Sequence, residues 1–353
     1  MEKSSNPKAR YSFVDALRGV AALGVVVYHG YSKNLVPMSG YELPQPLHVL
    51  FSNGNLGVYI FFVISGFVIT QSIRASHITP KFIGWFAVRR SLRLDPPYWV
   101  TIAAMIVLSY VSGRVQRDHA PLPVPAWDAV VAHLFYLQGF LGYPQILGVF
   151  WTLCYEFQFY LTLVILVGIC QWPRVPARAR WVVFALLWIG SALCVAGSPE
   201  PTGEVLFVYA WPYFFLGVVV NWVHNAKESP VMLAIVGAGT AALLPFAPLK
   251  VCVALVTAAA IHRVSVSGRL SSLSLGRFAQ YLGRISYSLY LVHMLVGTPL
   301  VRFGIRHLGK MNFGTALVLM GLAVAVSVMA AHVMYVVVER PAVRWSHRLR
   351  ELR

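Results

Sequence analysis

"LRGVAALGVVVYH", residues 17–29, is an almost wholly apolar run with Arg18 near one end and His29 at the other. Runs this apolar belong in membranes, where an ionisable side chain is costly and marks function. Eleven positions separate the two residues, about 1100° of helical rotation, so both side chains fall within roughly 20° of one another on one face. The rise between them is about 16 Å, half the hydrocarbon thickness. A cation at the membrane surface and an imidazole deep inside therefore share one stripe. The plainer alternative is that Arg18 snorkels to the interface and His29 hydrogen-bonds a neighbouring helix. Asp15, one turn before Arg18, is placed to orient it. Gly19, Ala22, Gly24 and Gly30 keep the helix slim where other helices approach.

The whole chain repeats this character. Of 353 residues, 58% are hydrophobic and 12% charged, against about 25% charged in a soluble domain; the mean hydropathy is +0.66. The formal net charge of +17 does not point to nucleic acid. The arginines cluster in short loops between apolar runs, which is the positive-inside pattern, and no basic helix or aromatic-basic platform is present. Cys154, Cys170, Cys194 and Cys252 stand in or beside apolar runs without metal-ligand spacing and read as small buried hydrophobes, so no metal is expected.

Runs long enough to cross about 30 Å of hydrocarbon fall near 12–31, 54–73, 95–112, 148–170, 180–197, 205–222, 230–246, 281–303 and 312–338, with a weaker one at 249–263. The expected fold is an all-α polytopic membrane protein of about ten transmembrane helices with both termini cytoplasmic. The segment "AWDAVVAHLFYLQGFLG" (126–142) carries Asp128, His133 and Gln138 and reads as re-entrant or interfacial. Residues 230–263 are the weakest part of the count, since their two runs also suit one shallow hairpin. The chain reads as a single membrane domain over 1–353. It has a cytoplasmic segment at 1–11, a transmembrane core at 12–338 and a basic cytoplasmic tail at 339–353.

Further ionisable residues lie at membrane depth. Glu156 in "VFWTLCYEFQFYL" stands about 12 Å below the outer surface, close to the depth of His29. A buried carboxylate needs a partner, and each could satisfy the other. His293 in "GRISYSLYLVHML" is again near mid-membrane, where Tyr287, Tyr290 and His293 recur every three residues. Arg90 and Arg93 in "VRRSLRLDPPYW" anchor their loop on the cytoplasmic side. If helical, they also form a fork suited to phosphate oxygens, and with Arg18 they make a cationic mouth.

These segments, taken in order, resemble the acyltransferase family 3 of integral-membrane O-acyltransferases over nearly the whole chain. "RGVAALGVVVYH" supplies the family's Arg, ten residues, then His. "GVYIFFVISGFVI", with Ser65, is similar to its second span, and "RSLR" to its Arg-x-x-Arg motif. "WTLCYEFQFY", with Trp151 and Glu156, is similar to its Trp-Ser-Leu-x-x-Glu segment, and "SYSLYLVH" and "VERPAV" to its C-terminal spans. Tyr59 stands where the family often has an acid, and Thr152 replaces the usual Ser. The SGNH hydrolase-like domain fused to some members is not among the segments, so transfer is expected to finish within the membrane domain or with a separate partner.

The resemblance implies an acyl-CoA donor, usually acetyl-CoA, from the cytoplasm. It implies a carbohydrate acceptor facing outward, such as an exopolysaccharide, O-antigen or other lipid-linked glycan, at a bacterial inner membrane. On that reading Arg18, Arg90 and Arg93 receive the CoA phosphates, Ser65 and Tyr287 contact the thioester, and His29 is general base with Glu156 orienting it. His293, Asp15 and Trp151 support the site or the substrate. An acyl-His intermediate is the mechanistic rival. A transporter or flippase using Arg18, His29 and Glu156 as its polar pathway is the alternative from another class.

Overall fold

The computed structural model describes residues 11–115, 123–197, 205–225 and 228–351. The basic N-terminal segment 1–10, residues 116–122 of the loop at 113–127, and Leu352 and Arg353 of the tail lie outside the described residues. Within them the only regular secondary structure is helix, with no strand.

Helix α1 (Ser12–Gly30) runs through a π-helical turn, Tyr31–Leu35, into α2 (Val36–Ser39). Then come α3 (Gln45–Ser52), α4 (Gly57–Ile73), α5 (Pro80–Val115), α6 (Trp127–Leu134), α7 (Phe150–Cys170), α8 (Ala177–Gly197) and α9 (Trp211–Asn225). The chain continues with α10 (Pro230–Ala241), α11 (Pro248–Val266), α12 (Arg277–His307) and α13 (Phe313–Met334), and a second π-helical turn, Tyr335–Glu339, leads into α14 (Arg340–Glu351).

Among the described residues seven stretches are long and apolar enough to cross a membrane: Ser12–Ser39, Gln45–Ile73, Pro80–Ser112, Phe150–Cys170, Pro248–Val266, Arg277–His307 and Phe313–Arg348. The expected count of about ten is not reached by this measure. The run near 205–222 becomes a helix of 15 residues and that near 230–246 one of 12, about 22 and 18 Å long. The described apolar part of α8, Trp181–Gly197, is also short of the threshold. Hydropathy counts apolar residues without regard to where the helix ends, and α9 is apolar because it is enclosed: every residue from Trp211 to Asn221 is buried. Conversely, the weak run near 249–263 forms a full helix of 19 residues.

Two glycine crossings set the bundle. At the α1–α12 contact a Cβ on Gly19 would run into the backbone of Ala279 and Gly283, and one on Gly283 into the Asp15 carbonyl. At the α4–α9 contact Gly66 meets the Phe214 carbonyl and Gly217 the Val63 carbonyl in the same way. Small residues let backbones close without lipid between them. These crossings draw α12 against α1 and leave α4 between α1 and α7, since α4 packs on both.

Helix α5 carries Pro96 and Pro97 without breaking, so "RRSLR" is helical and Arg90 and Arg93 lie one turn apart. Helix α6, at eight residues, is too short to span, in keeping with a non-crossing segment. Its His133 is fully buried, with Nδ1 2.6 Å from the Ala129 carbonyl and Nε2 accepting from the Ile146 amide at 3.1 Å. That pair of bonds makes His133 a brace for the following turn. Cys154 is buried, Cys170 and Cys194 are half-buried, and Cys252 is exposed on α11. The buried reading therefore fails for Cys252, whose helix turns that side away from the core.

Candidate active site

Five helices converge on one small basic cavity. Arg18 comes from α1, Ser65 from α4, Arg90 and Arg93 from α5, Glu156 and Tyr160 from α7, and Tyr287 from α12. The Arg90 guanidinium lies over the Tyr160 ring, 4.4 Å from its centroid, a geometry in which the ring face attracts the cation. The Glu156 carboxylate accepts from Ser65 Oγ at 2.6 Å and from the Tyr160 hydroxyl. Tyr287 donates to the Leu94 carbonyl at 2.7 Å, tying α12 to the arginine-bearing turn of α5. The Nε of Arg18 is buried and makes no hydrogen bond among the described residues. A buried donor without a partner costs free energy.

Glu339 also belongs to this region and was not expected there. In the second π-helical turn, 7% exposed, it accepts from Ser288 Oγ at 2.6 Å and from the Ser288 amide at 3.2 Å. Arg93 and Arg18 are within electrostatic reach. Three guanidinium groups thus face two carboxylates, which leaves a positive excess. The sequence signal was available, because Glu339 is a lone acid at the end of an apolar run.

Next to the basic cavity is a narrow neck of about 50 Å3, which shares Arg18, Ser65, Glu156 and Tyr287 as lining residues and adds Phe61, Phe62 and Tyr290. Tyr290 exchanges a hydrogen bond with Thr152 at 2.7 Å and donates to the Val149 carbonyl at 3.2 Å. Thr152, where the resemblance leads one to expect Ser, therefore still presents a hydroxyl. The neck shares Val58, Phe62 and Tyr290 with a larger chamber of about 410 Å3. That volume is within the roughly 300–1,000 Å3 of small-molecule sites. His29 is on its wall, as are Trp151, Lys33, Tyr59 and Lys250.

His29 is paired, but with His293. Its Nδ1 is 2.9 Å from the Val25 carbonyl and 3.2 Å from His293 Nε2, while His293 Nδ1 is 3.1 Å from the Leu289 carbonyl. A carbonyl only accepts, so each neutral ring carries its proton on Nδ1. The Nδ1–H of His29 is then shared between Val25 and His293, and the Nε2 lone pair of His29 is left for another partner. Asn34 adds a second hold: its amide donates to the His29 carbonyl at 2.5 Å and its oxygen accepts from Arg302 Nε at 2.7 Å.

The expected Glu156–His29 contact is absent; Glu156 turns to Ser65 and Tyr160. Depth along the membrane matched the two, but α4 stands between their helices. Arg18, Ser65, Arg90, Arg93, Glu156 and Tyr287 are brought together as expected, whereas His29 and Trp151 line the far chamber. The Asp15 carbonyl packs at the Gly283 crossing. Trp151 stands edge-on to Tyr155, with ring centroids 5.2 Å apart. Among the described residues no group of three or more His, Cys, Asp or Glu is placed to hold a metal.

Among the described residues, an all-helical architecture with seven helices of membrane-crossing length, around a basic cavity, a neck and a histidine-bearing chamber that share lining residues in turn, defines a polytopic membrane protein with a polar site. The chain belongs to the acyltransferase family, whose domain matches residues 11–332. It is 26% identical to the acyltransferase MdmB of Streptomyces mycarofaciens over 382 residues, covering 97% of this chain and 94% of that one. It is 27% identical to the putative membrane-bound transacylase BcsY of Komagataeibacter xylinus, covering 99% and 87%. With the peptidoglycan O-acetyltransferase OatA of Listeria monocytogenes the identity is 25%, over 66% of this chain but 38% of that protein. No solved structure matches the chain.

Proposed function

We propose that this protein transfers an acyl group, acetyl in the first instance, from cytoplasmic acyl-CoA to a hydroxyl of a carbohydrate acceptor at the bacterial inner membrane. The acceptor class is an exopolysaccharide, O-antigen or other lipid-linked glycan. The observation that carries the reading is a series of three cavities, each sharing lining residues with the next, from Arg18, Arg90 and Arg93 to His29. Guanidinium groups suit phosphate oxygens, an unionised imidazole suits a base, and a series of cavities between them suits a thioester arm that crosses from one side to the other.

In this mechanism the CoA phosphates rest on Arg18, Arg90 and Arg93 at the cytoplasmic end. Ser65 and Tyr287 flank the arm. The acceptor hydroxyl approaches His29 from the chamber and gives its proton to Nε2 as its oxygen attacks the thioester carbonyl. The C–S bond breaks, the ester forms, and the departing thiolate takes up the proton that His29 has received. The imidazolium formed in between is stabilised by His293 Nε2, which accepts from Nδ1–H. His293 thus fills the place expected of Glu156, while Glu156 balances the arginines at the mouth. At about 50 Å3, the neck admits the arm only when the side chains of Phe61, Phe62 or Tyr290 turn aside.

The test is purified protein in detergent with acetyl-CoA and a panel of lipid-linked glycans, following thiol release and product mass beside His29→Ala. Acceptor-dependent thiol release that disappears in His29→Ala is the expected result. Full activity in His29→Ala removes His29 as base. Binding of glycan without consumption of thioester favours a transporter, which has no reason to release CoA thiol.

A further inference from the structure

The transfer chemistry leaves one backbone outlier unexplained. Among the described residues Tyr136, in the short segment after α6, is the one non-glycine residue with a positive φ, 60°. That left-handed conformation is costly for a residue with a Cβ and persists only where the surroundings hold it. The side chain shows what does the holding. The buried Tyr136 ring stacks on both Tyr98 of α5 and Phe157 of α7, with centroids 5.0 Å apart in each pair and planes 10° and 18° from parallel. Its hydroxyl donates to Oδ1 of Asp95, itself buried, at 2.8 Å. Tyr136 thus bridges the two helices that supply Arg90 and Arg93 on one side of the basic cavity and Glu156 and Tyr160 on the other.

We propose that Tyr136, through Asp95, is a positioning residue for the acyl donor: it holds the arginine-bearing turn of α5 at a set spacing and rotation against Glu156 and Tyr160 of α7. The inference rests on reading the arginine cavity as the donor's phosphate site, and it adds to that site a residue from outside its lining.

Helix α5 needs such a tie. Pro96 and Pro97 lie inside it, and a proline has no amide proton to give the carbonyl four residues earlier. The carbonyls of Leu92 and Arg93 therefore lose their intrahelical donors in the turn that carries the arginine pair. The helix backbone alone does not fix how Arg90 and Arg93 are aimed, and side chains from other elements do. Tyr287 donates to the Leu94 carbonyl at 2.7 Å and Tyr136 to the Asp95 carboxylate, two adjacent residues just before the prolines.

The segment after α6 does not need this bond for its own shape. His133 Nε2 accepts from the Ile146 amide at 3.1 Å, and the Tyr143 hydroxyl donates to Asp128 Oδ2 at 2.9 Å. The Tyr136 amide donates to the His133 carbonyl at 3.1 Å, so the turn is closed by its backbone while the side chain leaves it for α5 and α7. Glycine would fit a left-handed turn at less cost, but it would have no ring to bridge the helices and no hydroxyl for Asp95.

The experiment uses the full chain in detergent. CoA binding is measured by calorimetry, and acetyl-CoA KM and kcat by thiol release with the acceptor that the glycan panel identifies. Tyr136→Phe keeps the ring and loses the bond to Asp95. It should weaken CoA binding and raise the acetyl-CoA KM about three- to tenfold, the fold-change of one hydrogen bond's net contribution, with kcat within about twofold of wild type. Asp95→Asn, whose side-chain oxygen still accepts, should stay within about twofold in all three quantities, whereas Asp95→Ala should match Tyr136→Phe. The Tyr136→Phe/Asp95→Ala double variant should lose no more than either single variant, because both act through one bond. The Asn and Ala variants of Asp95 carry the test where Tyr136→Phe fails to fold. Tyr143→Phe, which removes the neighbouring bond to Asp128, is the control and should keep the wild-type KM. Unchanged CoA affinity in Tyr136→Phe, a loss confined to kcat, an equal loss in Tyr143→Phe, or additive losses in the double variant overturns the inference. The reading beneath it fails separately. CoA binding about tenfold weaker in Arg93→Gln but unchanged in Tyr136→Phe keeps the donor site and removes the positioning role, whereas CoA affinity untouched by Arg93→Gln removes the donor site itself.

Discussion

Replacing His293 with Phe keeps a ring at that position of α12 but removes the nitrogen that accepts from His29. In the wild-type protein His293 is 1% exposed and its Nε2 stands 3.2 Å from His29 Nδ1. When His29 takes a proton, that contact becomes a hydrogen bond from a charged donor, worth about 1.5–3 kcal/mol. At about 1.36 kcal/mol per decade, its loss slows the chemical step by roughly 13- to 160-fold. The Val25 carbonyl still holds the Nδ1 proton at 2.9 Å, so the tautomer survives and some activity persists. The assay is steady-state thiol release at saturating acetyl-CoA, with KM for the donor measured beside kcat. The fall belongs in kcat, because the arginines proposed to hold the donor line a different cavity from His29. His293→Gln, whose side-chain oxygen accepts, should recover part of the loss. A His293→Phe enzyme with kcat within twofold of wild type, or one impaired only in donor KM, refutes the assignment.

Other outcomes follow from the same geometry. Asn34→Ala frees the His29 carbonyl and Arg302 together, and should lower kcat by about tenfold, from an interaction of 1–2 kcal/mol, with unchanged donor KM in the same assay. Glu339→Ala leaves both Ser288 donors without their acceptor and should destabilise the protein by about 1–3 kcal/mol. Glu339→Gln, which still accepts, should cost less, and equal thermal midpoints in detergent would contradict this. Gly283→Ala drives a methyl into the Asp15 backbone at the α1–α12 crossing and should cost about 1–3 kcal/mol as overpacking, read by the same melt. Burial pushes the His133 imidazole on α6 below its ordinary range. The neutral ring is the one that accepts from Ile146, so this site adds stability above about pH 6.5 that is lost as pH falls through the lowered folded value. His133→Gln should flatten the acid limb of a melt-versus-pH series relative to wild type, and parallel curves would refute it.

What could be read along one helix was legible; what required two helices was not. Arg18 and His29 share a stripe because helical rotation is fixed by the backbone, and Arg90 and Arg93 form one turn for the same reason. Depth in the membrane follows as well from counting residues, which is why Glu156 was matched with His29. Depth is one coordinate, however, and adjacency around a bundle needs a second. That coordinate is set by where backbones touch, at Gly19–Gly283 and Gly66–Gly217. The first pair draws α12 against α1 and brings His293 to His29. The second seats α4 on α9, and α4 itself lies between α1 and α7. The same limit hid Glu339, which reaches Ser288 on α12 from a π-helical turn where helical spacing does not apply. Apolar count misled at α9 for a related reason, since an enclosed core helix and a lipid-facing one draw on the same residues. Small residues spaced along apolar runs are therefore the part of such a sequence that records which helices meet, and pairing those at Gly19 and Gly283 would have placed His293, not Glu156, beside His29.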